Sequence, residues 1–168
     1  MKRRKMTKDI IPDDFTLSLA LVDAIPVLFF GASMIVLSRL LHNTLFLIGA
    51  LLVLFAGAAK VLWKIIVVLK HQNIWALFIQ MRILMPIGFV LILLSFVVVK
   101  SNVDYALLKA AALSMPSVLF FGLGLAGMVC MLIFGFTLDS SNVKANWVEQ
   151  CTNGLAQICI FIGLLLML

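Results

Sequence analysis

Long apolar runs alternate with brief polar breaks along this chain, and the spacing of the breaks sets the architecture. A helix needs roughly twenty apolar residues to cross about 30 Å of hydrocarbon. Five runs reach that length, at about 15–38, 44–69, 75–99, 116–138 and 147–168. Between them stand Ser38-Arg39 and His42-Asn43, then Lys70 to Asn73, Lys100 to Asn102, and Asp139 to Asn142. Connections this short predict that successive helices pack as antiparallel neighbours, with no room for a soluble domain. The expected fold is an all-α integral membrane protein, a polytopic bundle of about five transmembrane helices. Residues 1–14 form a basic N-terminal segment and residues 15–168 a single transmembrane domain.

Residues 103–115 do not simply extend the fourth run, because the joined helix would be about fifty ångströms long. Asp104 and Lys109 flank an alanine-rich stretch that stops at Pro116. The pattern predicts a short interfacial helix followed by a break.

Composition strengthens the membrane assignment. Of 168 residues, 64% are hydrophobic and 12% charged, whereas soluble domains carry about half and a quarter. The net charge of +6 does not point to nucleic acid, since five of the thirteen basic residues (Lys2, Arg3, Arg4, Lys5, Lys8) precede the first span. No basic face with interleaved aromatics exists elsewhere. A cluster beside an apolar span suits anchoring at the cytoplasmic leaflet. An inside N-terminus also places Lys70 and Lys144 inside, leaving Arg39, Lys100 and Lys109 outside. The expectation is a multi-pass cell-membrane protein with its C-terminus outside and Trp63, Trp75 and Trp147 toward the inner interface. The first run exceeds a signal-peptide core and contains Asp23 and Pro26, so it reads as a retained span.

Several chemistries lose support. Cys130, Cys151 and Cys159 lack paired spacing and read as small apolar residues. His42 and His71 fall on opposite membrane sides and cannot share a metal or haem. Gly122 to Gly127 matches G-x-G-x-x-G, yet it lies inside a span without the strand that a dinucleotide site needs. It reads instead as a small-residue face with Gly122 and Ala126 on one packing ridge. Zinc-protease, serine-hydrolase and Walker motifs are absent. No cofactor or metal is implied. A lipid-modifying enzyme using carboxylates and lysines remains an alternative.

The informative residues are the polar ones inside spans: Asp23, Lys60, Lys64, Gln80, Arg82, Glu149, Gln150, Asn153 and Gln157. Each charge near the bilayer centre costs about 2.5–3.5 kcal/mol on insertion scales. With the N-terminus inside, all of them fall in the cytoplasmic half of the bundle. Lys60 and Lys64 share a helix face. Asn142, Asn146, Glu149/Gln150, Asn153 and Gln157 form a polar stripe that stops before Phe161 and Leu164. Asp23, Lys60, Lys64, Arg82, Glu149, Gln150, Asn153 and Gln157 are therefore the candidate pocket, with Asp23 and Lys60 paired. Structural alternatives are snorkelling for Lys64 and Arg82, a capping box of Asn146 with Glu149, and helix–helix hydrogen bonding for Asn153 and Gln157.

Proline accompanies the charges at Pro26 and Pro86, as a kink or a hinge. The segments Ile25 to Gly31 and Met115 to Gly122 resemble each other, either by chance or as the trace of an inverted repeat. A mixed-charge pocket suits an anionic or zwitterionic solute or a lipid headgroup. The expected function is a transporter or channel component working as a homo-oligomer or with a membrane partner. The alternative is a non-transporting subunit, scaffold or sensor.

Overall fold

The computed structural model describes residues 16–98, 105–138 and 142–168. The basic segment 1–14, Lys100 and Asp104 lie outside the described residues. Seven helices occupy the rest: α1 (Leu17–Leu41), α2 (Thr44–Lys70), α3 (Trp75–Ile79), α4 (Met81–Val98), α5 (Tyr105–Leu113), α6 (Ser117–Thr137) and α7 (Val143–Met167). A turn at Gln80 separates α3 from α4, which together make one span. With them counted once, five helices are long and apolar enough to cross a membrane. The protein is an all-α polytopic membrane bundle.

Local chemistry sets where the helices begin and end. Asn43 Oδ1 accepts hydrogen bonds from the amides of Leu45 and Phe46, and Thr16 Oγ1 from that of Leu19. Such caps satisfy amides that have no partner within the helix. Asn142 does the same for Lys144 and Ala145. This starts α7 one turn before the predicted boundary and leaves Asn146 inside the helix. The capping box of Asn146 and Glu149, the structural alternative for Glu149, is therefore not formed. At the other ends, His42 (φ 47°) and His71 (φ 49°) adopt the left-handed conformation. Their amides bond the carbonyls of Ser38 and Val67, closing α1 and α2.

The spans stand in one curved row, α4–α2–α1–α7–α6. Successive spans are neighbours except the third and fourth, which contradicts the simple hairpin expectation. Among the described residues, no Cα of α4 comes within 8 Å of one of α6. The long connection containing α5 frees α6 from following α4, and α5 packs on α6 and α7 instead. The row is joined in the middle by α1 and α7. Ile25 and Pro26 meet Gly154 while Phe29 meets Phe161, so contacts advance together and the two helices run parallel.

Small residues make the seams. A methyl group on Gly49 would come within 2.7 Å of Gly88 O, and one on Gly88 within 2.6 Å of Val53 Cγ2. On α6 the packing ridge is Gly124 and Gly127 against Ala156 and Ile160. Gly122 faces open space, so the predicted ridge of Gly122 and Ala126 is displaced to its neighbours. Trp63 is likewise buried in protein, stacked on Phe78 and donating to Asn73 Oδ1 at 3.0 Å. It is not presented to a lipid interface.

Candidate functional site

Two features lie between the spans. The first is a charged cluster. Asp23 of α1 faces both lysines of α2: Lys64 Nζ lies 2.9 Å from Oδ2, and Lys60 Nζ lies 3.4 Å from Oδ1. Asp23 and Lys64 are almost fully buried, while the Lys60 side chain is 27% exposed. The predicted partner of Asp23 is thus present, and a second cation has joined it. Lys64 does not snorkel, because its ammonium is held inside by the carboxylate. Glu149 of α7 lies close enough to act electrostatically on Lys64. Two acidic and two basic side chains from three helices therefore balance one another.

The second feature is a cavity of about 200 Å³ lined by all five spans. Pro26, Val27 and Phe30 come from α1, Val53, Leu54 and Gly57 from α2, and Met85 and Phe89 from α4. Met128 and Met131 of α6 close the far side, and Asn153 and Gln157 of α7 supply its polar groups. Gln157 Nε2 points at Met128 Sδ at 3.5 Å. A thioether is a weak acceptor, so this donor is poorly satisfied by the protein.

The two features are in register. Asp23 precedes Pro26 by three residues, Lys60 follows Gly57 by three, Arg82 precedes Met85 by three, and Glu149 precedes Asn153 by four. Residues three and four apart share a helix face, and the rise between them is about 5 Å. Since α1, α4 and α7 run one way and α2 the other, every one of these steps leads toward the end where α1 begins. These charges thus lie about one helical turn from the apolar cavity, on the side where α1 begins.

Arg82 stands apart from the ion-paired cluster. Its exposed guanidinium lies over the Phe78 ring, 5.1 Å from the centroid. Gln150 is buried, and its Oε1 has no hydrogen-bond partner among the described residues. A buried carbonyl without a protein partner calls for water or a ligand. Of the eight candidate residues, only Asn153 and Gln157 line the cavity. The apolar lining from α1, α2, α4 and α6 has no marker in the sequence beyond its spacing from the charges. Gln80, outside the candidate set, donates to the carbonyls of Ala56 and Leu77 and ties the α3–α4 turn to α2.

The chain matches no known family model, no curated protein and no solved structure.

Proposed function

We propose that this protein is a transporter or channel component, with the cavity and its charged mouth as the solute site. One observation carries the reading: residues from all five spans converge on a single cavity, and charges lie one turn away on four of the same helix faces. Charges inside a membrane are retained at a cost, and a substrate or ion pathway is the usual reason for them. The basic residues at the N-terminus, Lys70 and Lys144 favour a mouth that opens to the cytoplasm.

A second reading rests on the open edges. Only 11% of the third span and 6% of the fourth are buried, against 33–39% of the others. A second copy or a partner subunit covering α4 and α6 would use those faces, and the protein would then be a structural or sensing subunit.

Single cysteines at Asn153 and Gln157, in a chain whose three native cysteines are replaced, separate the two. Under the transport reading both react with a small charged thiol reagent added from the cytoplasmic side. Cysteines at Phe161 and Leu164 react much more slowly. Inertness at all four positions would leave a dry helix seam and the subunit reading.

A further inference from the structure

We infer that the site takes a single-chain amphipathic anion, its apolar part in the five-helix cavity and its anionic head at Lys60 and Arg82. This rests on the transport reading of the same site and adds the class of molecule.

The argument starts from what surrounds the ligand space. Ten of the twelve lining residues offer only apolar or thioether surface, and the two amides sit on one helix. A small polar solute would lose its hydration there and recover little of it. An apolar body loses nothing. A dry protein cavity of about 150 Å³ suffices for a benzene ring, so about 200 Å³ accommodates one ring or one stretch of alkyl chain.

The head follows from the mouth. Its acidic members are engaged: Asp23 is buried between two ammonium groups, and Glu149 acts on Lys64. Its partly exposed members are Glu149, Lys60 and, most exposed, Arg82, and together with Asp23 and Lys64 they sum to one positive charge. Lys60 makes the longer of the two ion pairs and keeps 27% of its side chain exposed, and Arg82 is exposed above Phe78. An arriving anion finds Arg82, which has no ion-pair partner among the described residues, and the exposed side of the Asp23-paired Lys60, each one turn from the cavity, with Gln150 Oε1 left for water or a hydroxyl.

The test uses the full chain in a neutral glycoside detergent, titrated with dodecyl phosphate and read by native mass spectrometry. A single bound dodecyl phosphate is expected, displaced by neither inorganic phosphate nor dodecanol. Arg82→Gln and Lys60→Met should each weaken binding by about tenfold or more, the loss of one charge-assisted contact, whereas Lys60→Arg should retain it. Met131→Trp, which fills the cavity, should abolish it. Arg82 is exposed, so its substitution gives an answer even if Lys60→Met fails to fold. Equal binding of dodecanol would overturn recognition of the anion, and equal binding of inorganic phosphate would overturn the apolar half. Neither result touches the cysteine-labelling outcome at Asn153 and Gln157, on which the transport reading stands or falls.

Discussion

Lys64 Nζ lies 2.9 Å from Asp23 Oδ2, closer than the 3.4 Å from Lys60 to the same carboxylate, and Lys64 is the more deeply buried lysine. The turn at His42-Asn43 explains the arrangement. In an antiparallel hairpin, positions at equal distance from the turn stand level, and Asp23 stands level with Leu62. Lys60 and Lys64 lie two residues to either side of Leu62, on one face, so one carboxylate reaches both. The three side chains act as a unit.

Removing Asp23 leaves two ammonium groups facing each other in a medium of low dielectric, and removing Lys64 leaves the buried carboxylate only its longer pair with Lys60. Asp23→Asn or Lys64→Met should each cost about 3–5 kcal/mol, and the double substitution should recover much of that loss. Lys60→Met should cost less, because its ammonium already reaches solvent. Unfolding in detergent measures all four variants. Additive effects of Asp23→Asn and Lys64→Met would show that the pair does not stabilise the bundle as argued.

Much of this was legible in the sequence, and the failures have physical causes. The spans follow from length and apolarity alone, since a membrane leaves few other solutions. The contact of Asp23 with α2 follows from charge at matching depth. Which lysine lies closer depends on hairpin register, which a depth estimate does not resolve. Neighbour order failed at the third and fourth spans, because α5 makes their connection too long to force them together. Asn153 and Gln157, on the polar stripe of α7, line the cavity. The methionines and phenylalanines that complete the cavity look the same in sequence as residues facing lipid.

Glycine seams give a sharper test of the row. A Cβ on Gly88 would sit 2.6 Å from Val53 and 2.7 Å from the Gly49 carbonyl oxygen, and the carbonyl cannot move without its helix. Gly88→Ala should therefore cost about 1–3 kcal/mol through overpacking. Gly122→Ala, with nothing within 4 Å, should be neutral or slightly stabilising, since alanine is the better helix former. Parallel thermal melts of the two variants check this. Equal effects would mean that α2 and α4 do not meet at Gly49 and Gly88.

The left-handed residues at the ends of α1 and α2 lead to a gain rather than a loss. A side chain at φ 47° or 49° carries a steric penalty of about 1–2 kcal/mol that glycine avoids. His71 is exposed, so its imidazole contributes little packing to set against that penalty. His71→Gly should raise stability by a few tenths to about 1 kcal/mol, after glycine's greater freedom in the unfolded chain is subtracted. A lower melting temperature for this variant would show that the histidine side chain holds the turn.

Orientation decides which compartment the charged mouth faces, and two exposed positions at opposite ends of α2 report it. Thr44 opens that helix and Gln72 follows it. Lys70 and Lys144 lie at the Gln72 end, where α1 also begins, whereas Arg39 lies at the Thr44 end. Basic residues near span ends are retained on the cytoplasmic side, so Gln72 should be cytoplasmic and Thr44 external. In whole cells carrying single cysteines, an impermeant maleimide should label Thr44→Cys readily and Gln72→Cys only after the membrane is opened. Since α1 begins at the Gln72 end of α2, that outcome places Asp23, Lys60 and Arg82 toward the cytoplasm. The reverse labelling would turn the mouth outward, and an amphipathic anion would then be taken from the external leaflet. Equal labelling of both positions in intact cells would be incompatible with α2 crossing the bilayer, and the five-span row would fail with it.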